Sequence, residues 1–243
     1  MKFLFHNIQY GTGWLQKLAW AAFWAKSTRH FPTLQRFYRV ADADVIGLVE
    51  VDAGSYRSGR KNQAEEIAAE LGYASAFRNK YSCESLGSRL PVLKTQVNAV
   101  LSRLPIVATR FHELSRGQKR LVVEVDTPEV TVFVTHLSLG PKARRRQLYD
   151  LHDIVTARSK PCILAGDFNF LSGPWEAQLF LKASGLTSAN AAGRGTFPSW
   201  APLRELDFVC YSEELRLTRF RIPPVKLSDH LPLLCDFEIR GQK

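Results

Sequence analysis

The chain contains no stretch of apolar residues long enough to cross a membrane. Its longest candidate, residues 14–25, is far shorter than the roughly 20 apolar residues that a spanning helix requires. Near the start of the chain, His6, Asn7 and Gln9 interrupt the apolar run before it reaches the length of a signal-peptide core. We therefore expect a soluble protein located in the cytoplasm.

Several other sequence signatures are missing. The four cysteines form no C-x-x-C pair, and Cys162, Cys210 and Cys235 lie in apolar runs, which is typical of reduced, structural thiols. Repeats, low-complexity tracts and linker-like stretches are absent, so we predict one domain over residues 1–243. The glycines of YGTGW lack the context of a dinucleotide-binding loop, and no known nucleic-acid-binding module is recognisable.

The charge balance is strongly basic, with a net charge of +10 at pH 7. This excess favours an anionic partner, but it does not distinguish nucleic acid from an anionic membrane or a small phosphorylated substrate. No feature of the sequence implies a partner protein.

Apolar and alternating runs that end at turn signals predict an α/β fold. Helical spacing of apolar residues predicts two clear helices, at 63–71 and 144–156. The predicted strands are 2–8, 45–51, 98–102, 121–125, 130–137, 162–167, 206–211 and 233–239.

Polar residues with useful chemistry follow several of these predicted strands. Glu50 ends the apolar run DVIGLVE, where a carboxylate oxygen suits magnesium or manganese. Asp167 and Asn169 lie two residues apart in GDFNF, so extended backbone would place them on the same side. Taken alone, Glu50 and Asn7 are more typical of ordinary strand ends, and GDFNF fits a turn that closes its strand equally well.

Two histidines also follow predicted strands. His230 in SDH suits a role in holding a phosphoryl oxygen or in moving a proton near neutral pH. Its neighbour Asp229 would point to the opposite face, so Asp207, embedded in ELDFVCY, is the predicted partner of the imidazole. The alternatives are an Asp207 that faces water on an edge strand and a purely structural role for His136, which ends TVFVTHL.

The order of these segments resembles that of the endonuclease/exonuclease/phosphatase superfamily. This superfamily includes deoxyribonuclease I, exonuclease III-type repair nucleases, inositol polyphosphate 5-phosphatases and bacterial sphingomyelinases. The resemblance runs nearly from end to end and implies a deoxyribonuclease I-like four-layer α-β-β-α sandwich, with two packed mixed β-sheets and an active site at one end of them. The segments that carry it are FHNIQYG, LVEVD, NAVLSRLPI, THL, GDFN, LDFV and SDHLPL.

The resemblance also implies a metal site. Glu50 would be the principal ligand of Mg²⁺, for which Mn²⁺ could substitute. Asn7 and Asp229 would lie close to the metal or to its waters.

The resemblance implies catalytic roles for the remaining motif residues. Asp167 and Asn169 would orient the attacking water and the phosphate. His230, held by Asp207, and His136 would stabilise the charged transition state from the other side. Several members of the superfamily have Tyr where this chain has His136. With His at this position, the chain is more similar to the deoxyribonuclease I and sphingomyelinase branches.

Two segments are candidates for substrate binding. The first is the tryptophan segment, residues 14–24, in which we expect Trp14 and Trp20 to contact the substrate. If it forms an amphipathic helix with exposed aromatic rings, it would suit a membrane surface, a peripheral location and a lipid-like substrate. The alternatives are a helix that packs into the core and rings that stack on nucleic-acid bases.

The second candidate is the basic loop that follows Glu50. Arg57, Arg60 and Lys61 lie in this loop, and arginine can bind a phosphate through two hydrogen bonds. The alternative is a solvated surface loop.

The sequence therefore predicts a magnesium-dependent phosphoesterase. We favour a phosphodiesterase that uses direct attack by water, with a lipid-like ester as one candidate substrate. The main alternative is a DNA or RNA nuclease of the same superfamily, and the second is a binding protein that keeps the fold without catalysis.

Overall fold

The structure is a computed structural model that describes residues 1–13, 26–27, 30–79, 93–171, 173 and 175–241. Trp14, Trp20 and the rest of the tryptophan segment lie outside these residues, as does Cys83. No helix of the described residues is long and apolar enough to span a bilayer.

The described chain contains both strands and α-helices, as the α/β prediction requires. The helices are α1 (Phe31–Ala41), α2 (Gln63–Leu71), α3 (Pro141–Thr156) and α4 (Trp175–Ser184). The strands are β1 (Lys2–Asn7), β2 (Val45–Asp52), β3 (Ala74–Asn79), β4 (Gln96–Ser102), β5 (Ala108–Glu113), β6 (Leu121–Asp126), β7 (Thr131–His136), β8 (Cys162–Asp167), β9 (Thr187–Ser188), β10 (Asp207–Tyr211), β11 (Leu215–Arg221) and β12 (Leu233–Ile239).

The strands form two mixed sheets of six strands each. Their orders are β11-β12-β1-β2-β4-β3 and β5-β6-β7-β8-β10-β9. In the first sheet β1 runs parallel to β2, and in the second β7 runs parallel to β8, whereas the other pairs are antiparallel. Parallel neighbours end at the same edge of a sheet, so the two parallel pairs each bring two carboxyl ends together.

Apolar side chains arrange the sheets and helices in four layers. Phe5 and Val45 of the first sheet pack against Val132 of the second in the core between the sheets. The outer face of the first sheet is covered by α1 and α2, and that of the second by α3 and α4. The predicted four-layer α-β-β-α sandwich with two packed mixed sheets is thus confirmed.

Local sequence signals explain where α2 begins and ends. The Asn62 side chain accepts a hydrogen bond from the backbone N–H of Ala64 at 3.0 Å, which caps the first turn. Gly72 ends the helix in the left-handed conformation that favours glycine. These signals match the predicted bounds of 63–71.

The prediction missed α1 and α4, the two-residue edge strand β9, and the longer edge strands β3, β5 and β11. In each of these three strands one face is partly exposed and carries polar residues, so the apolar run that marks a central strand is absent. The central strands β2, β4, β7 and β8 are almost wholly buried and were therefore recognisable from the sequence.

Candidate active site

The strand ends that the sequence marks as polar meet at one end of the sandwich. Asn7 ends β1, whereas His136 and Asp167 end the parallel neighbours β7 and β8 and face each other in the register. Asp207 begins the antiparallel strand β10 and lies opposite Asp167. Three of these side chains therefore converge because of strand register, and Asn7 joins them from the other sheet.

Asp167 is at the centre of this cluster. One of its carboxylate oxygens, Oδ2, lies 3.1 Å from Asn7 Nδ2, 3.2 Å from His136 Nε2 and 3.9 Å from His230 Nε2. Burial alone would raise the pKa of Asp167, but the nearby His136, His230 and Lys119 hold it below its usual range. The carboxylate is thus held in its ionised form.

Close packing of β8 against β7 positions Asp167. A Cβ added to the preceding residue, Gly166, would lie 2.4 Å from the carbonyl oxygen of Thr135. Only glycine allows the two strands to approach this closely. The glycine of GDFNF thereby fixes the carboxylate that follows it.

Asn169 lies beside Asp167, but not for the reason that the sequence suggested. The expectation of extended backbone is wrong, because β8 ends at Asp167 and Asn169 has a left-handed φ of 53°. The backbone N–H of Asn169 donates to Asp167 Oδ1 at 3.1 Å, and its Nδ2 donates to the carbonyl of Leu137 at 2.9 Å. A tight turn and the candidate catalytic pair therefore occupy the same residues.

Asp207 orients His230. His230 Nδ1 lies 2.7 Å from Asp207 Oδ2, which also accepts a hydrogen bond from Thr196 Oγ1 at 2.6 Å. The contact expected from the sequence is present, and Asp207 is buried rather than facing water. This bond leaves Nε2 of His230 directed toward Asp167.

Surrounding groups control the charge and position of His230. Burial lowers the pKa of its imidazole, but the carboxylates of Asp207, Asp167 and Asp229 outweigh burial and raise it to about 10. The ring of Phe197 packs against the imidazole with 4.8 Å between centroids. These contacts hold a cationic imidazole in one orientation.

Glu50 reaches the cluster through an irregularity in β2. The pairing of β2 with β4 shifts register between Leu48 and Val51, and Glu50 has a φ of 55° inside this bulge. Its Oε1 lies 3.8 Å from His136 Nδ1 and 3.7 Å from Lys119 Nζ. The bulge thus directs the carboxylate of Glu50 toward the second sheet.

Gln9 links the two remaining residues of the predicted metal side. Its Nε2 donates to Asp229 Oδ2 at 2.9 Å, and its backbone N–H donates to Asn7 Oδ1 at 3.1 Å. Burial raises the pKa of Asp229 to about 6. Sequence reasoning missed Gln9, although its position inside the segment FHNIQYG was a usable signal.

Lys119 is the second residue that sequence reasoning missed. Its ammonium group contacts His136 Nε2 and lies beside Glu50. Buried Gln147 of α3 fixes the backbone of this loop, because its Nε2 donates to the carbonyls of Arg116 at 2.7 Å and Lys119 at 2.6 Å. The segment SRGQKR carries no motif, so nothing in the sequence distinguished Lys119 from a solvated lysine.

The basic loop separates into a buried part and an exposed part. Arg57 is fully buried, with its Nε 2.9 Å from Asp52 Oδ2 and its guanidinium 3.9 Å above the ring centroid of Tyr10. Arg60 and Lys61 are exposed, and Lys61 Nζ lies 2.8 Å from Glu66. The structure thus places Arg57 inside the loop and the other two cations on its surface.

The buried pair of Arg57 and Asp52 should matter for stability. We expect Arg57→Met to lower the free energy of unfolding by about 3 to 5 kcal/mol, because the buried carboxylate of Asp52 would lose its counter-charge. Urea unfolding followed by circular dichroism measures this change. The matched double variant, Asp52→Asn with Arg57→Met, should recover part of the loss, and a single-variant effect below about 1 kcal/mol would contradict the assignment.

Two groups of side chains could hold a metal ion. The ligand atoms of Asp167, Asp207 and His230 lie within 4.8 Å of one another. Glu50, with Asn7 and Asp229 nearby, offers a second set of oxygen ligands among the described residues. Oxygen donors suit hard cations such as magnesium, whereas imidazole is typical of sites for softer metals.

The sequence matches a family model described as the endonuclease/exonuclease/phosphatase family over residues 4–230. The chain belongs to this family. Its members are hydrolases that act on phosphate esters, and they generally depend on a divalent metal.

Solved structures share the fold at low sequence identity. An endonuclease/exonuclease/phosphatase from Beutenbergia cavernae is 24% identical, with a TM-score of 0.76 over 99% of this chain and 72% of that one. A mannosyl-6-phosphatase from Bacteroides thetaiotaomicron is 14% identical, with a TM-score of 0.74 over 98% and 100%. The catalytic domain of human Nocturnin, with a bound sulfate anion, is 21% identical, with a TM-score of 0.70 over 98% and 94%.

Proposed function

We propose that this protein is a magnesium-dependent phosphodiesterase that uses direct attack by water. The observation that supports this most strongly is the arrangement around Asp167. Nitrogen atoms of Asn7, His136 and His230 converge on this carboxylate and can hold a phosphate. The Glu50 carboxylate, an oxygen ligand for a metal, lies beside His136. Hydrolysis of a phosphate ester needs both a Lewis acid and donors for the developing negative charge.

We assign the metal to Glu50, with Asn7 and Asp229 nearby. The carboxylate and carboxamide oxygens of these residues fit Mg²⁺, with Mn²⁺ as a substitute. The cluster of Asp167, Asp207 and His230 fits less well, because His230 Nδ1 is already engaged with Asp207. Magnesium bound at Glu50 would polarise a phosphoryl oxygen and compensate negative charge in the transition state.

The remaining side chains have roles that follow from their positions. The Asp167 carboxylate orients the attacking water and accepts its proton, and Asn169 beside it positions the phosphate. His230, held by Asp207, donates a hydrogen bond from Nε2 to a phosphoryl oxygen, and His136 beside Asp167 stabilises the charged transition state. Water attacks phosphorus as the bond to the leaving oxygen breaks, so no covalent enzyme intermediate forms.

Two classes of substrate remain candidates. A lipid-like phosphodiester fits if the tryptophan segment contacts a membrane, and the protein would then be peripheral at the membrane. A nucleic acid fits the net charge of +10 and the exposed cations Arg60 and Lys61. A binding protein without catalysis is the third possibility, which the presence of every motif residue disfavours.

A matched substrate panel tests the proposal. We expect magnesium-dependent hydrolysis of at least one phosphodiester among plasmid DNA, abasic duplex, RNA and phospholipid vesicles, with inositol phosphates as the monoester comparison and the Glu50→Gln variant as the blank. Cleavage of nucleic acid should weaken steeply as salt rises, whereas cleavage of a neutral-headgroup lipid should not. A protein that binds magnesium but turns over no member of the panel would support the binding-protein alternative.

A further inference from the structure

A small pocket lies beside Lys119, next to the strand ends that form the candidate active site. It has a volume of about 220 Å³ and lies between two loops and the start of α3. None of its lining residues is acidic. They are Gly117, Gln118, Lys119, Ser138, Leu139, Gly140 and Ala143.

The pocket opens onto the N-terminus of α3. This helix spans Pro141–Thr156 and follows Gly140, which has no side chain to cap it. The N–H groups of a first helical turn lack partners within the helix and carry partial positive charge, so they attract anions. This end of α3 therefore favours a negative ligand in the pocket.

A buried hydroxyl in the pocket also needs a partner. Ser138 is only 7% exposed, and its Oγ has no hydrogen-bond partner among the described residues. Its backbone N–H donates to Gln147 Oε1 at 2.9 Å, which fixes the loop. A buried donor without a partner is costly, so this hydroxyl points to a ligand that accepts a hydrogen bond.

Gly117 allows its loop to pack directly against this hydroxyl. Its φ of 97° is left-handed, and a Cβ at this position would lie 2.2 Å from Ser138 Oγ. Any other residue would both strain the loop and fill the space against the hydroxyl.

We propose that this pocket, the α3 subsite, binds a second phosphate group of the substrate. The inference rests on the proposed function, because it assumes that the scissile phosphate lies at the Asp167 cluster. Lys119 connects the two positions: the residue lines the α3 subsite, whereas its Nζ lies 3.7 Å from Glu50 Oε1. One lysine side chain therefore reaches from the α3 subsite to the candidate metal ligand Glu50.

The α3 subsite narrows the class of substrate. Neighbouring nucleotides of a nucleic acid, or two phosphates on one inositol ring, can occupy both positions. A phosphodiester lipid with a neutral headgroup has one phosphate and leaves the α3 subsite unused. The structure thus favours a substrate with at least two phosphate groups.

Ala143 provides a matched pair of variants. It is the third residue of α3, where aspartate is compatible with the helix dipole, and its side chain is partly buried in the pocket wall. Ala143→Asp adds a negative charge to the α3 subsite, whereas Ala143→Asn adds the same shape without charge. Neither substitution touches a residue to which we assign a catalytic role.

Kinetics should separate the two variants. For 5′-phosphorylated dithymidine dinucleotide or glycerophosphoinositol 4-phosphate, each a phosphodiester with a second phosphate, we expect Ala143→Asp to have a kcat/KM on the order of tenfold below that of Ala143→Asn, which corresponds to about 1.4 kcal/mol. The ratio should stay near one for bis(4-nitrophenyl) phosphate, which has a single phosphate. Comparison of kcat/KM between the two substrates that carry two phosphates shows whether the protein prefers a nucleotide or an inositol phosphate. Equal ratios for all three substrates would overturn the inference.

Binding can be tested without turnover. Inorganic phosphate, titrated without magnesium, should shift the amide resonances of Gly140 and Lys142 in the wild-type chain and in Ala143→Asn, but not in Ala143→Asp. If these shifts appear but no ester is hydrolysed, the α3 subsite is supported and the proposed function is rejected. The absence of these shifts in the wild-type chain would reject the α3 subsite, whatever the kinetics show.

Discussion

Glu50→Gln is expected to reduce hydrolysis on the order of a thousandfold or more, because a bound Lewis acid contributes several kcal/mol to such reactions. The neutral carboxamide of glutamine keeps the shape of glutamate but is a weaker ligand for a divalent cation. Excess magnesium or manganese should therefore restore part of the rate. The measurement is turnover as a function of metal concentration for wild type and variant.

A matched control separates this effect from a general loss of charge. Glu65 lies exposed in the first turn of α2, away from the site, so Glu65→Gln should leave the metal dependence unchanged. Wild-type turnover that persists after removal of metal with EDTA would contradict the assignment of Glu50.

His230→Ala is expected to lower turnover by roughly 10²- to 10⁴-fold, as is typical for removal of a positioned proton donor or acceptor. The chain should stay folded, because the imidazole lies at the end of the sheets and not in the apolar core. Steady-state kinetics and circular dichroism measure the two properties separately.

The partner of His230 provides a graded test. Asp207→Asn keeps the shape of the side chain beside His230 Nδ1 but removes its charge, so we expect a smaller loss, roughly 10- to 100-fold. His152 lies on α3, outside the cluster, and His152→Ala should have a near-normal rate. A near-normal rate for His230→Ala would remove this imidazole from the mechanism.

Most of the fold could be predicted because its central strands are buried on both faces. Strands such as β2 and β8 are continuous apolar runs, and the polar residues at their ends stand out from them. Edge strands such as β11 carry charged residues on a solvated face, so their sequence does not differ from that of a loop. The single domain over residues 1–243 remains a prediction, as do the substrate contacts of Trp14 and Trp20.

The sequence predicted the site residues that lie in motifs at the ends of strands. It did not predict the residues that only the tertiary structure brings into the site. Asp207 and His230 were paired from the sequence because a buried acid needs a partner. Lys119 comes from a loop without a motif, and it reaches the cluster only because Gln147 fixes that loop. The bulge that directs Glu50 also left no signal, since it depends on the pairing of β2 with β4.

The antiparallel pairing of β1 with β12 has a consequence for folding. It joins segments more than 200 residues apart in the sequence, with Phe5 opposite Leu233, and brings both Asn7 and His230 to Oδ2 of Asp167. Contacts of such long sequence separation form slowly, because a large loop must close first. Catalytic competence should therefore arise only in the last stage of folding, so that recovery of activity after dilution from denaturant would report completion of the native topology.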